Sequence, residues 1–149
     1  GLQKTGIGIV EEKNNQFMPV FFETVRTNPK NTRYQKLHFL FEHTRQVIAE
    51  FQPQLLALEN IFFGQNFKVA VRLGEARSVI IIAATCAGLD ICEYLPTRVK
   101  GAICGNGRAA KQQVQHMVTH LLSLKETPED AADALAVALC HLQTKTFAR

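Results

Sequence analysis

Three acids in this chain have the residue type and placement to hold a cation. Asp130 and Asp133 stand three apart in the alanine-rich run Thr127-Pro-Glu-Asp-Ala-Ala-Asp-Ala-Leu-Ala-Val-Ala-Leu-Cys-His141, so both carboxylates lie on one face of the expected helix. Glu59 closes the apolar run Leu55-Leu-Ala-Leu-Glu59, which reads as a buried central strand. Open α/β sheets place their chemistry at such carboxyl ends. A strand end and a helix start packed across it would bring the three carboxylates together. Like charges in a small space are tolerable only around cations, and hard oxygen ligands suit Mg²⁺ or Mn²⁺. A carboxylate-held metal site activates water and steadies the leaving oxygen in phosphodiester hydrolysis. Each acid also has a plainer use. Glu129 and Asp130 complement the helix dipole at an N-terminus, and Asp133 and Glu59 can be solvated.

These acids need a scaffold, and the chain supplies one in order. Thr5 to Glu12 (TGIGIVEE) alternates glycine with Ile7 and Ile9 and suits a strand with close backbone contacts. Lys13-Asn-Asn-Gln16 is a turn signal, and Phe17 to Arg26 returns as a second strand, giving an antiparallel hairpin. From Arg33 to Phe51 the apolar positions recur at three- and four-residue steps, which predicts an amphipathic helix ended by Pro53. A second long helix is expected from Phe67 to Ala87. Its half Val79-Ile-Ile-Ile-Ala-Ala84 is apolar on every side and too short to span a membrane, so a symmetric dimer contact is expected there. Ile91 to Tyr94 reads as a short strand, Pro96 to Lys100 as a helical turn, Gly101 to Arg108 as a glycine-rich loop and Ala109 to Leu124 as a helix. In the last helix, Thr127 suits the N-cap and Pro128 the first helical position. The order predicts an α/β domain with a mixed sheet.

Other residues could contact a ligand. Arg98, Lys100, Arg108 and Lys111 surround the glycine-rich loop and could hold backbone phosphates; the loop is neither a Walker A loop nor G-x-G-x-x-G. Phe62 and Phe63 directly after Glu59 could wedge against bases, although aromatics are more often buried. His116 and His120 have zinc-ligand spacing, but no Glu follows His116, and a polar helix face is the better account.

Composition sets bounds. At 149 residues the simplest expectation is one domain over residues 1–149. Seventeen Lys+Arg against 13 Asp+Glu and a pI near 9.0 are compatible with a polyanionic partner without demanding one. Cys86, Cys92, Cys104 and Cys140 form no C-x-x-C pair, which fits a reducing cytoplasm.

The motifs GLQKTGIGIVEE, FQPQLLALENIFFGQN, VRLGEARSVIIIAA, EYLPTRVKGAICGNGRAAKQQVQHMV and DAADALAVALCH follow one another in an order that resembles the RuvC-type Holliday junction resolvases over nearly the whole chain. The resemblance implies an RNase H-like fold with a mixed five-stranded sheet flanked by helices. It also implies a homodimer that cuts two strands of a four-way DNA junction using divalent metal, Mg²⁺ or Mn²⁺, and a branch-migration motor as partner. By the same resemblance, Glu59, Asp130 and Asp133 are catalytic and metal-binding. Phe62 contacts opened bases, and Lys100 and Lys111 lie near the scissile phosphate. Val79–Ala84 falls in the dimerisation helix, and Arg108, from its place in the glycine-rich loop, is counted with Phe62, Lys100 and Lys111 as a DNA contact. The family's first strand and its metal-binding Asp, in Gly-Ile-Asp-Pro-Gly, are expected to precede Gly1, and the first acid here is Glu11. Two other readings stay open: a catalytically silent junction-binding module, and another RNase H-like nuclease acting on RNA–DNA hybrids or other branched DNA.

Overall fold

The computed structural model of the chain describes residues 1–60 and 66–147, and side chains as far as Lys145. The elements in order are β1 (Lys4–Lys13), β2 (Gln16–Arg26), α1 (Arg33–Phe51), β3 (Leu55–Glu59), α2 (Phe67–Cys86), β4 (Asp90–Tyr94), α3 (Pro96–Cys104), α4 (Lys111–Leu121) and α5 (Glu129–Phe147). They divide into two compact units whose segments alternate along the chain. Among the described residues the strands form two pairs, β1–β2 and β3–β4, rather than one five-stranded sheet. Each pair closes its own ladder, and no described strand bridges the two.

The first unit comprises Gly1–Thr5, Val25–Leu56 and residues 66–92. Its centre is α1 packed along α2. Thr32 starts α1 with a capping box: its hydroxyl accepts from the Gln35 amide at 3.3 Å, and the Gln35 side chain accepts from the Thr32 amide at 2.8 Å. The helix stops at Gln52, held in the left-handed region at φ 46° just before Pro53. Leu40, Thr44 and Val47 recur at helical spacing on the buried face of α1. On α2 the buried residues are the small Ala76, Ala83 and Ala84, which allow close helix approach. Phe67, Val71 and Ile82 of α2 are exposed.

The second unit comprises Gly6–Thr24, Ala57–Asn60 and residues 93–147. Asn14 and Asn15 turn the hairpin with φ of 54° and 60°, the pair of positive angles that a two-residue loop needs to match strand twist. Gly6, Gly8 and Val10 share one face of β1 by the two-residue period of a strand. That face meets α5. A Cβ at Gly6 would fall 1.8 Å from the carbonyl oxygen of Asp130, and one at Gly8 would fall 2.8 Å from Leu135. The close backbone contact expected of this strand is therefore a contact with the helix that carries two of the acids. Ala131, Ala132, Leu135, Ala136, Leu139 and Cys140 of α5 are at most 1% exposed. Val99 and Ile103 of α3, and Val114 and Val118 of α4, complete the core around them.

Three boundaries depart from expectation. Helix α3 continues through Gly101 to Cys104 and stops at Gly105, whose φ of 71° suits a glycine C-cap, so the glycine-rich loop shrinks to residues 105–110. Helix α4 covers residues 111–121 only. Thr127 is buried and tied to α4 instead of serving simply as a cap: its hydroxyl accepts from Thr119 at 2.9 Å, and its carbonyl accepts from Gln115 at 2.7 Å. The first α5 bond comes from the Pro128 carbonyl, which accepts from Ala132 at 2.8 Å.

Candidate functional site

Glu59, Lys100, Arg108, Lys111, Asp130 and Asp133 all belong to the second unit. Glu59 ends β3, where the ladder is still held: the amide of the next residue, Asn60, donates to the Tyr94 carbonyl at 2.8 Å, joining the carboxyl ends of two parallel strands. Asp130 and Asp133 occupy the first turns of α5, at the height fixed by the Gly6 contact.

Lys111, the first residue of α4, links the second helix start to these acids. Its ammonium lies 2.7 Å from a Glu129 oxygen and 3.0 Å from Asp133 Oδ2. Hydrogen bonding to Glu129, and then to Asp133, raises the Lys111 pKa well above the ordinary lysine range. Attraction alone would lower the aspartate to match. The Asp133 carboxyl is instead held above its ordinary value, because burial outweighs Lys111, and Asp130 and Glu129 add repulsion. Asp133 is thus half-exposed, and burial of the rest of its carboxyl is what opposes its charge.

Glu59 behaves similarly. Its surface is open to solvent at the strand end, yet protein crowds one side of the carboxyl. Burial first, and then the charge of Asp133, push its pKa up; Lys100 and Lys111 pull the other way. Glu59 and Asp133 thus feel one another, Asp130 acts on Asp133, and two lysines face the group. Among the described residues no set of three His, Cys, Asp or Glu side chains converges closely enough to hold a metal ion. The geometry is a carboxylate pair with an adjacent third acid.

The other expected contacts fall nearby or outside. Arg108 is exposed in the 105–110 loop, where its amide donates to Asn106 Oδ1 at 3.0 Å. The loop delivers α4 with no side-chain cap at Ala110. Phe62 lies outside the described residues. His116 and His120 are exposed on α4.

Comparison with known proteins gives this geometry its context. The family profile described as "Crossover junction endodeoxyribonuclease RuvC" matches residues 1–141. A relative of that name from Caldanaerobacter subterraneus subsp. tengcongensis is 41% identical over 149 residues, covering 99% of this chain and 90% of the relative. The chain belongs to the RuvC family.

A second family member, from Hydrogenovibrio crunogenus, is 46% identical over 143 residues, 95% of this chain and 82% of its own. Among solved structures, Thermus thermophilus RuvC superposes with a TM-score of 0.89 at 31% identity, over 99% of this chain and 92% of that one. T. thermophilus RuvC in complex with Holliday junction substrate gives 0.88 at 29% identity, over 99% and 91%. The α/β fold is accordingly RNase H-like.

The contacts of three residues packed around these elements were not legible in the sequence. Glu129 reads as a helix-dipole acid until α4 places Lys111 beside it. Tyr94 and His141 read as a strand end and a helix end until packing joins them, with the hydroxyl 2.6 Å from Nδ1. No spacing rule connects residues 47 positions apart.

Proposed function

We propose that this chain is a structure-specific DNA endonuclease that resolves four-way junctions by paired, metal-dependent phosphodiester hydrolysis in recombination and repair. The observation that carries the reading is the Glu59–Asp133 pair, two partly desolvated carboxyls with raised pKa values facing Lys100 and Lys111. Crowded hard-oxygen donors with excess negative charge fit a divalent cation, Mg²⁺ or Mn²⁺. A bound cation would supply Lewis acidity and lower the pKa of water, so that its deprotonated form can attack phosphorus.

The rest is done by the chain. Glu59 and Asp133 would hold the cation, with Asp130 beside them. Lys111 exchanges its contact with Asp133 for the scissile phosphate, where an ammonium stabilises developing charge. Lys100 faces the same phosphate from α3. Arg108 and the uncapped amides of α4 anchor the neighbouring backbone. Phe62 is assigned to the opened bases. The exposed Phe67, Val71 and Ile82 on α2 support a homodimer, which would set two such sites on one junction. A branch-migration motor is the expected further partner, and the cytoplasm the expected location; no helix among the described residues is long and apolar enough to cross a membrane.

The deciding experiment incubates a synthetic four-way junction with the protein and Mg²⁺. Symmetric paired nicks are expected, and an intact junction would refute the proposal. The absence of a three-acid cluster among the described residues favours one alternative, a silent junction-binding module. That alternative predicts a gel shift with no cleavage in Mn²⁺.

A further inference from the structure

The second unit also holds a partly buried polar pair that the proposed chemistry does not use. The Tyr94 hydroxyl at the end of β4 sits 2.6 Å from Nδ1 of His141 on α5, and the rings meet edge to face with centroids 5.9 Å apart. His141 is 6% exposed, and its Nε2 has no hydrogen-bond partner among the described residues. Burial, and then the charge of Lys145, hold the imidazole below its ordinary range, so the ring stays neutral. Such a pair returns little net stability. A single neutral hydrogen bond in the interior is largely offset by lost hydration, and the unpaired ring nitrogen subtracts from what remains. An apolar pair of similar shape would fill the core at least as well.

What the pair supplies is direction. The Tyr94 carbonyl accepts the amide of Asn60, the residue after Glu59. The Tyr94 hydroxyl meets α5, the helix that carries Asp130 and Asp133, about 12 Å along the axis from Asp133. One residue is therefore bonded by its backbone to the strand end bearing one acid and by its side chain to the helix bearing the other two. We infer that the Tyr94–His141 hydrogen bond is a positioning device that fixes the register of Glu59 against the acids of α5. Its importance for cleavage rests on the nuclease reading above; the tie itself does not. Tyr94 and His141 are positioning residues, since neither is placed against the phosphate.

The test uses the whole chain carrying Tyr94→Phe, His141→Leu, His141→Asn or the double change Tyr94→Phe/His141→Leu. In Tyr94→Phe the Asn60 amide is expected to exchange with solvent roughly five- to tenfold faster, the equivalent of one net hydrogen bond. On a four-way junction, kcat should fall roughly tenfold while junction affinity stays within about twofold, because the phosphate contacts on α3 and α4 are untouched. His141→Asn, which keeps a polar atom near the Nδ1 position, should recover most of the rate, and His141→Leu should not. The double variant removes both polar partners, so it should melt near or above the wild type and still cut slowly. An Asn60 amide unchanged in Tyr94→Phe, or a stable double variant with full kcat, would overturn the inference. A wild type that cuts no junction refutes the nuclease reading instead, and the Asn60 exchange rate then decides the tie alone.

Discussion

Gly6→Ala is the smallest change that should move α5, the helix that carries Asp130 and Asp133. The added Cβ would lie 1.8 Å from the Asp130 carbonyl oxygen, 2.3 Å from its carbon and 3.0 Å from the Ala131 nitrogen. All three are backbone atoms in the first turn of α5, so no side-chain rotation can relieve the clash. To reach even 3.0 Å, the helix start must retreat by about 1.2 Å from a close-packed core. Overpacking of this kind costs roughly 1–3 kcal/mol, and backbone-on-backbone contact belongs at the upper end. Replacing a strand glycine returns about 0.5–1 kcal/mol of that through the unfolded chain. The net loss is then about 2 kcal/mol, or roughly 4–8 °C in Tm for a chain of this size. Activity should suffer more than stability, because a displacement of about 1 Å at reacting groups can cost on the order of a hundredfold in rate. Calorimetry and junction cleavage, both run well below the variant's Tm, read the two effects separately. Gly8→Ala should be milder, since two of its three contacts are to the Leu135 side chain. Gly101→Ala, inside α3 with only a 3.9 Å neighbour, should be neutral or stabilising. A Gly6→Ala protein with wild-type Tm and a rate within about threefold would refute the claim that β1 sets the height of Asp130 and Asp133.

Four further outcomes follow from the same site. Asp133→Asn should lower cleavage by about a hundredfold or more while leaving the Tm equal or higher, since it removes a carboxylate crowded by Asp130, Glu129 and Glu59; a clearly lower Tm would contradict the repulsion. The pH dependence has a definite sign. Glu59 and Asp133 bind protons more tightly folded than unfolded, so their contribution is full below ordinary values of 4.5 and 3.8 and is lost as pH rises through the raised folded values. Urea midpoints should therefore fall across that window in the metal-free wild type and fall less in Asp133→Asn, and millimolar Mg²⁺ should restore the midpoint at neutral pH; equal slopes would count against the assignment. Glu129→Gln removes the shorter of two exposed contacts to Lys111, each worth about 0–1 kcal/mol, so junction binding should tighten by up to about fivefold; weaker binding would show that Glu129 orients the lysine rather than competing for it. Ile82→Glu should convert a dimer into a monomer in sedimentation at micromolar protein, and a monomeric wild type would undercut the paired-cut mechanism.

What the sequence disclosed, and what it withheld, divides along physical lines. Helix α1 was legible to the residue because its apolar repeat runs over five turns, and the start of α5 to within two residues because Pro128 and the acids mark it. Strand β3 and its terminal Glu59 were legible because a short apolar run ending in an acid has few other uses. The end of α3 was not, because Gly101 and Gly105 look alike as letters. Only Gly105 needs φ 71°, while Gly101 stays helical. Glu59, Asp130 and Asp133 stand out as candidates by pattern and resemblance, but their electrostatics do not. Lys111 stands 22 positions from Asp133, and its two ion contacts arise only because α4 begins where the 105–110 loop places it. That contact changes what the acids mean. A solvated Asp133 would titrate in the ordinary way and ask for nothing. Here burial first, with smaller contributions from Asp130 and Glu129, holds the carboxyl above its ordinary value against a lysine 3.0 Å away. A helix start that merely capped itself would not reach the strand beside it. Here the Asp133 charge raises Glu59 at the end of β3, a coupling that only the packing of α5 against the strand end creates.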